Sequence, residues 1–399
     1  MRDVTTAPAG ALDGVRVIDL TINVFGPMAT FMLGEMGADV IKVEGPGGDP
    51  TRSLGARRNP GMAAHFVQFN RSKRSVVLDL KQPDQLESLL RLVDTADVFV
   101  HNMRADAAVR LGVGPDDLRV RNPKLIYAYG SGYRRHGPRW ARPAFDDVIQ
   151  GESGLAGLIE KANGEARFMP YAMADKLCGV YLGSAILAAL FHRERTGEGQ
   201  VAHVPMFETM SAFNLMDHMW EATFSRARED VGYPRMLTPH RRPYPTRDGH
   251  ICLLAVTDAQ WVRLFDLIGR ADMAQDHRFR DMVGRAHHVD ALLGELAKEM
   301  LKRTTAEWLE ALDEADIPNG PLSNLGDLVA DPYLLEGGVF DLYEHPCDGA
   351  HMSVGFPIGL SATPPRMQRP PPVLGEHNDE VLGEIDSAAA SLRRGEAPD

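Results

Sequence analysis

A single aspartate, Asp175, stands at the beginning of a long apolar helical stretch in residues 171–200. The stretch reads YAMADKLCGVYLGSAILAALFHRERTGEGQ and contains no further acid until Glu194. A carboxylate at this place could act as a nucleophile, because the N–H groups and the dipole of a helix start favour its ionised form. The alternative is that Asp175 only caps the helix. The residues around it leave both interpretations open.

Cys178, one turn after Asp175, is a second potential nucleophile in this stretch. No histidine lies nearby in the sequence to activate it, so we predict a buried core thiol. Small side chains recur at helical spacing, which predicts that another backbone approaches this helix closely. They are Gly179, Gly183, Ser184, Ala185, Ala188 and Ala189. The helix start is therefore expected to lie in dense, dry packing.

The charge of the chain limits its partners. The 399 residues carry a formal net charge of −12, which disfavours a nucleic-acid partner. The basic residues are unevenly distributed: residues 51–78 contain six and no acid, and residues 102–143 contain nine against three acids. This distribution suggests a small polyanionic ligand. The alternative interpretation is that these arginines decorate a solvated surface.

Composition also bears on metal sites and membranes. The three cysteines lack C-x-x-C spacing and the histidines are scattered, so neither a disulfide framework nor a metal site is predicted. The uncharged run 177–191 has only fifteen residues, and the N-terminal residues lack the apolar segment of a secretion signal. We therefore expect no membrane association and a cytoplasmic location.

The elements that must position Asp175 begin with alternating strands and helices. Residues 84–96 have helical periodicity, whereas five short runs around them are apolar and β-branched. This alternation predicts a parallel sheet covered on both faces, which is a Rossmann-like α/β core. The loop after the first run, TINVFGP, lacks G-x-G-x-x-G, so a nicotinamide enzyme is not expected. The predicted strands are residues 14–20, 38–44, 74–81, 97–102 and 124–132.

The sequence changes character after residue 200. Residues 206–226 are Met-rich and helical, and residues 241–256 contain a turn followed by a strand. Amphipathic helices are predicted at 258–269, 288–302 and 304–315. We predict three parts: a large Rossmann-like domain (1–225), a smaller α/β domain (226–322) and a C-terminal segment (323–399) that returns to the large domain.

Several blocks of the sequence, taken together and in order, resemble one family. The chain is similar from about residue 12 to residue 382 to the class III coenzyme A transferases, which include formyl-CoA and carnitine CoA-transferases and are related to α-methylacyl-CoA racemase. The blocks are LDGVRVIDL, GPMATFMLGEMGADVIKVEGPGGDPTR, NRSKRSVVLDLK, AFDDVIQGESGLAGL, ADKLCGVYLGSAILAALFHRERTGEGQ and GEHNDEVL.

The resemblance implies a reaction and an assembly. Asp175 occupies the position of the family's nucleophile, which attacks an acyl-CoA thioester and forms first a mixed anhydride and then an aspartyl-CoA thioester. A carboxylic acid is the second substrate, and CoA is a substrate instead of a permanently bound cofactor. The family also forms homodimers of two interlinked, ring-shaped chains, with CoA held largely by the Rossmann-like domain.

The matched motifs also suggest which residues contact CoA. The resemblance implies contacts from Leu78 and Lys81 in LDLK, from Asn102, and from Arg110 in VRLG. Lysine and arginine suit the phosphates of CoA. Surface charge alone is the alternative interpretation for Lys81 and Arg110.

The sequence departs from the family pattern at several positions. His203 and Pro205 stand where many relatives have aspartate and serine, and Phe145 replaces a frequent tyrosine. The run of consecutive glycines found in formyl-CoA transferases is missing, so formate and oxalate are not the expected substrates. We predict instead that Phe145, Asp146 and Gln150 shape an acyl pocket for another carboxylic acid.

Two other functions share the resemblance. Racemases of α-methylacyl-CoA thioesters pair the aspartate with a histidine, but the matching triplet here is AFD, in which Phe145 cannot carry a proton. A catalytically silent CoA-binding paralogue is the second alternative, suggested by the departures at His203 and Pro205.

Overall fold

The computed structural model describes residues 10–224 and 231–394, and the chain divides into two compact units. The first unit contains the described residues of Met1–Ser153, Met169–Ser211 and Tyr333–Asp399. The second contains those of Gly154–Phe168 and Ala212–Pro332. The predicted domain boundary between residues 225 and 226 lies outside the described residues, and the predicted three-part division stays a prediction.

A six-stranded parallel sheet is the centre of the first unit. The strand order is β3-β2-β1-β4-β5-β6, which is the order of dinucleotide-binding Rossmann folds. Five strands coincide with the predicted runs, so the prediction of an α/β fold with a parallel sheet is confirmed. The strands are β1 (Arg16–Leu20), β2 (Asp39–Glu44), β3 (Lys73–Val77), β4 (Val98–His101), β5 (Ile126–Ser131) and β6 (Val201–Pro205).

Strand β6 was not among the predicted strands. It pairs with β5 at one edge of the sheet, with Ser131 opposite Pro205. An edge strand bonds a neighbour on one side only, so it tolerates proline and needs no continuous apolar run. The mixed sequence VAHVP therefore forms a strand although it lacks the apolar pattern of the five inner runs.

Helices cover both faces of this sheet, and two further elements close the first unit. An antiparallel hairpin is formed by β10 (Phe340–His345) and β11 (Gly349–Val354), and the final helix packs on β3 and α3. Neither hairpin nor final helix was predicted. The helices are α1 (Phe25–Glu35), α2 (Ala64–Phe69), α3 (Pro83–Asp94), α4 (Ala105–Arg110), α5 (Pro115–Arg121), α6 (Asp146–Glu152), α8 (Met173–Thr196) and α17 (Asn378–Arg394).

The most extensive helix–helix packing among the described residues is between α1 and α8. A Cβ added at Gly179 would lie 2.7 Å from both the Phe25 carbonyl oxygen and Met28 Cβ, so only glycine fits there. The predicted close approach is therefore confirmed on this side of α8. Ser184 and Ala188, however, lie on its exposed side.

Helix α8 is long and apolar enough to span a membrane by length and composition alone. The sequence analysis underestimated the length of this apolar helix: the uncharged run 177–191 has fifteen residues, whereas the helix that contains it has 24. Core helices of soluble proteins pass the same test. Within the first unit α8 packs against α1, α6, β5 and β6, which is the environment of such a core helix. The cytoplasmic location stays a prediction.

The basic stretch 51–78 has a structural role that the sequence did not indicate. Four of its six basic side chains are buried and paired with acids of the same unit. The pairs are Arg52 with Glu44, Arg71 with Glu35, Lys73 with Asp19, and Arg74 with Asp39, Glu380 and Glu384. The inference of a polyanion site is therefore wrong for these four residues, since their charges are already neutralised inside the protein.

Two buried lysines of this sheet form a connected ionic network. Lys73 Nζ lies 3.1 Å from Asp19 Oδ2, and Lys42 Nζ lies 2.9 Å from Asp49 Oδ2, with all four side chains buried. Thr21 and Thr30 donate hydroxyl hydrogen bonds to Asp19. Burial alone would raise the pKa of Asp19, but Lys73 and Lys42 lower it to about 2.

The second unit packs helices around a three-stranded sheet with the order β7-β8-β9. Trp308, Phe265 and Leu264 are among its fully buried core residues. The predicted helices 258–269, 288–302 and 304–315 match α11, α13 and α14 within two residues. The elements are α7 (Leu155–Asn163), α10 (Pro234–Leu237), β7 (Tyr244–Pro245), β8 (His250–Leu253), α11 (Asp258–Leu267), α12 (Met282–His287), α13 (Val289–Met300), α14 (Thr305–Glu314), β9 (Asn319–Pro321) and α15 (Leu325–Ala330). Two more helices, α9 (Met206–His218) and α16 (Pro332–Glu336), belong partly to each unit.

Candidate active site

A cleft of about 190 Å³ opens at the carboxyl ends of β1, β4 and β5 in the first unit. The strand order reverses between β1 and β4, and open α/β sheets bind their ligands at such a switch point. The lining includes Ile22, Asn102, Ser131, Phe145 and Asp175. The fold therefore brings together three of the predicted site residues, Asn102, Phe145 and Asp175.

Asn102 joins the two strands at the switch point. Its side-chain carbonyl accepts the N–H of Ile22 at 2.9 Å, and its amide donates to the Ile22 carbonyl at 2.8 Å. The next residue, Asn23, has a φ of 64°, a left-handed conformation that asparagine tolerates better than most residues. Asn102 thus holds the loop after β1 in place beside the cleft. This structural role is distinct from the CoA contact that the family resemblance implies.

Asp175 is the only acid among the residues that line the cleft, all of which belong to the described part of the chain. Helix α8 begins at Met173 after Ala172, so Asp175 lies inside the first turn and is not the N-cap. The capping interpretation is therefore wrong. Within the described residues its carboxylate accepts no hydrogen bond, which leaves both oxygens available to a substrate.

The electrostatic environment of Asp175 differs from the one expected at a helix start. Burial, and then the nearby Asp146 carboxylate, raise the pKa of Asp175 to about 7. The expectation that the helix start favours the ionised form of this group is wrong, because the loss of water and a like charge outweigh the helix dipole.

Two of the predicted pocket residues lie behind the cleft. Gln150 is fully buried, and its side chain bonds the main chain: its carbonyl accepts the N–H of Met169 at 2.8 Å. Asp146 Oδ1 accepts the N–H of Asp175 at 2.9 Å. Of the three predicted pocket residues, only Phe145 lines the cleft, with 68% of its surface exposed.

The remaining predicted CoA residues are spread along the same edge of the sheet. Lys81 is exposed in the loop after β3, and Arg110 is exposed at the end of α4, which follows β4. Leu78 is buried in the hydrophobic core of the first unit. A contact between Leu78 and CoA would therefore use its main chain.

Sequence reasoning missed the cleft wall formed by the end of β5. A Cβ at Gly130 would lie 2.4 Å from the Phe25 ring, and one at Gly132 would lie 2.3 Å from Ala144 Cβ. The segment YGSG contains both glycines, and this pair was the available signal. Ser131 between them donates to the Tyr133 carbonyl at 2.7 Å.

His203 supports this wall from behind. Its Nε2 lies 2.7 Å from Ser131 Oγ, and its ring stacks on Tyr129 with centroids 4.1 Å apart. Burial, and then the charge of Arg135, lower the pKa of His203 to about 4. The imidazole is therefore neutral near pH 7, and since Ser131 donates elsewhere, His203 donates to it.

Cys178 is the buried core thiol that the sequence predicted. It is fully buried, and burial, together with the charges of Asp175 and Asp146, raises the pKa of its thiol well above the usual value. A thiol that stays protonated is a poor nucleophile. Of the two candidate nucleophiles on α8, Asp175 is the one that faces the cleft.

The fold and the cleft define an α/β protein with a ligand site at the switch point of a Rossmann-type sheet and one carboxylate in that site. Comparison with known proteins identifies the family. The model of CoA-transferase family III matches residues 12–378. The chain belongs to this family and is a class III CoA-transferase.

Individual relatives cover almost the whole chain. The sequence is 35% identical to the protein named probable fatty acyl-CoA transferase Rv3272 of Mycobacterium tuberculosis, over 95% of this chain and 99% of that protein. It is 36% identical to succinate–glutarate CoA-transferase of Agrobacterium fabrum, over 94% and 96%. The orthorhombic crystal structure of Rv3272 superimposes with a TM-score of 0.82 at 33% identity, covering 93% of this chain and 99% of that one.

These relatives establish the class of reaction. The protein transfers CoA between an acyl-CoA and a carboxylate, and CoA thioesters are its substrates. The racemase alternative is not favoured, because the family and its relatives are transferases.

Proposed function

We propose that Asp175 is the nucleophile of this CoA transfer and that the reaction passes through an aspartyl anhydride and an aspartyl-CoA thioester. The observation that carries the proposal is the position of Asp175: it is the only carboxylate among the lining residues of the cleft, and both of its oxygens lack hydrogen-bond partners among the described residues. A buried carboxylate of raised pKa is also a stronger base, which favours attack on a thioester.

The proposed steps balance without a further reactant. A carboxylate oxygen of Asp175 attacks the thioester carbonyl, the C–S bond breaks, and CoA leaves as a thiolate. The thiolate then attacks the aspartyl carbonyl, and the donor acid leaves as a carboxylate. The acceptor carboxylate attacks the aspartyl-CoA thioester in turn, and the released thiolate takes the new acyl group from the anhydride. Asp175 is returned as a carboxylate.

A trapping experiment tests this proposal. Acyl-CoA alone should leave a CoA or acyl adduct on the peptide that contains Asp175, because the first half-reaction needs no acceptor. Mass spectrometry before and after hydroxylamine treatment would locate it. A racemase would instead exchange the α-hydrogen with deuterated solvent, and a silent paralogue would bind CoA without any adduct.

The substrate acid is proposed from the cleft and from one relative. Arg104 and Arg142 line the same cleft as Asp175, and Arg142 pairs with Glu152 at 2.9 Å. A cationic side chain in the same cleft as the nucleophile favours an acid with a second carboxylate. The relative from Agrobacterium fabrum is named for two such acids, succinate and glutarate. A screen of acyl-CoA donors against mono- and dicarboxylic acids would test this preference.

We further propose that Lys81 and Arg110 hold phosphates of CoA. The variants Lys81→Ala and Arg110→Ala should each weaken CoA binding by roughly threefold to tenfold at low salt, since each loses one screened charge contact. Titration calorimetry at two salt concentrations would measure this, and higher salt should narrow the difference from wild type.

Lys124 is the matched control for these two variants. It is an exposed lysine of the same unit, but it precedes β5 and so lies at the opposite, amino edge of the sheet. Lys124→Ala should bind CoA as the wild type does. Unchanged affinity in both test variants at low salt would remove Lys81 and Arg110 from the site.

We also propose the interlinked homodimer of the family for this chain. Helix α8 leaves Val180, Tyr181 and Phe191 exposed by 37%, 42% and 64%, and an apolar face of this kind supports coverage by another chain. Two preparations with different tags should fail to form mixed dimers under native conditions and should form them after joint unfolding and refolding. Rapid native exchange would contradict threaded rings.

A further inference from the structure

Asp146 and Gln150, both on α6, make hydrogen bonds that connect this helix to the segment where α8 begins. Gln150 accepts the N–H of Met169 and donates its amide hydrogens to Asp146 and, at 3.4 Å, to the Tyr171 carbonyl. Asp146 uses its other oxygen to accept the N–H of Asp175 at 2.9 Å. Every strong contact of this group therefore ends on the chain segment that carries Asp175.

We propose that Asp146 is a positioning residue for the reaction: its carboxylate holds the main chain at Asp175 and places a second negative charge beside the nucleophile. This inference rests on the proposed role of Asp175. Asp146 does not line the cleft, so it acts through Asp175 and not through the substrate.

The second charge has a different effect on each state of the reaction. When the Asp175 carboxylate attacks the thioester, its negative charge passes to the leaving CoA thiolate, and the aspartyl group becomes a neutral anhydride. Repulsion between Asp146 and Asp175 is therefore present in the free carboxylate and absent in both covalent intermediates. Asp146 thus favours acylation of Asp175, because it destabilises the free Asp175 carboxylate that is present before the reaction.

Among the charged groups around Asp175, Asp146 has the largest effect on the pKa of Asp175. The pKa of Asp175, about 7, has two causes, burial and the Asp146 charge. Other titratable or charged groups on the neighbouring elements are Lys176 and Cys178 on α8, Asp147 on α6 and His203 on β6, and Arg104 and Arg142 line the cleft. Lys176 lies over the Tyr171 ring, and Cys178 and His203 are uncharged near pH 7.

The test compares Asp146→Asn and Asp146→Ala with the wild type. Both variants lose the charge, so the acid limb of the kcat/KM pH profile, near pH 7 in the wild type, should move down by roughly one pH unit in both. Asparagine keeps an oxygen for the N–H of Asp175 and alanine does not, so kcat should fall further in the alanine variant.

Asp147→Asn is the matched control, because Asp147 is the adjacent acid on α6 and is exposed. Its profile should match the wild type. A second measurement needs no turnover: carbodiimide labels protonated carboxyls, so the pH at which half of Asp175 is labelled should fall in both Asp146 variants. An acid limb and a labelling midpoint that stay at the wild-type pH would overturn the inference.

The outcome separates this inference from the proposed function. If the Asp175 adduct is trapped in Asp146→Asn and the pH profile of this variant matches the wild type, the proposed role of Asp146 is rejected and the proposed role of Asp175 is not. Absence of any Asp175 adduct in the wild type would reject the nucleophile, and the inference about Asp146 with it.

Discussion

Asp175→Asn is expected to lose CoA transfer almost completely, with kcat reduced about 10⁴-fold or more. Asparagine keeps the size of the side chain but cannot form the anhydride, because its amide nitrogen is not a nucleophile at neutral pH. CoA affinity should change little, since the carboxylate acts in bond formation more than in ground-state binding. A coupled transfer assay, with CoA titration on the same preparation, measures both.

The stability of the same variant distinguishes a nucleophile from a structural residue. The pKa of Asp175 is raised from 3.8 to about 7 in the folded protein, so the folded state loses stability as the pH rises through this range and Asp175 ionises. Asp175→Asn removes that buried charge. Its free energy of unfolding should exceed that of the wild type by about 4 kcal/mol at pH 8 and match it near pH 4.

Denaturant unfolding at the two pH values would check this expectation. A structural residue would show the reverse, with lower stability in the variant and substantial remaining activity. Transfer at close to the wild-type rate in Asp175→Asn would refute the proposed mechanism.

Lys73→Met is expected to cost about 3–5 kcal/mol of stability, because it leaves Asp19 as a buried charge without the lysine that pairs with it. Lys73 also bonds Asn70 Oδ1 at 2.9 Å, and that bond is lost as well. Urea unfolding, with hydrogen exchange of the β1 and β3 amides, would report on the parallel-sheet unit. Lys124→Met, at an exposed position of the same unit, should change the free energy of unfolding by less than about 0.5 kcal/mol.

The pH dependence gives the network a second test. The pKa of Asp19 is lowered to about 2, and burial lowers the pKa of Lys73 to about 8, so both partners are charged between about pH 4 and pH 7 and the ionic contribution of Asp19 is lost as the pH falls toward 2. The stability difference between wild type and Lys73→Met should therefore shrink in acid. The double variant Lys73→Met/Asp19→Asn should recover part of the loss, because no unpaired charge remains. Equal stability of Lys73→Met and wild type at pH 7 would show that the network contributes nothing.

The inner strands and the family could be predicted from the sequence because their signals are local. Runs such as 14–20 and 38–44 consist mainly of apolar and β-branched residues, which is the pattern typical of a strand buried on both faces. The final hairpin is different: neither FDLYEH of β10 nor GAHMSV of β11 is a continuous apolar run, so their strand character comes from pairing with each other. No local pattern announces such a pairing.

The candidate site divides in the same way. The sequence was sufficient to predict the family, the six motif blocks and the place of Asp175 at the start of a small-residue helix. Which charges meet depends on the tertiary fold. Asp146 reaches Asp175 across 29 residues, and Lys73 reaches Asp19 across 54. The effect of a charge depends on its distance from other charges and on its exclusion from water, and both are set by packing between segments far apart in the chain. For this reason the sequence suggested a ligand site at Arg52, Arg71, Lys73 and Arg74. In the fold these side chains form ion pairs inside the protein.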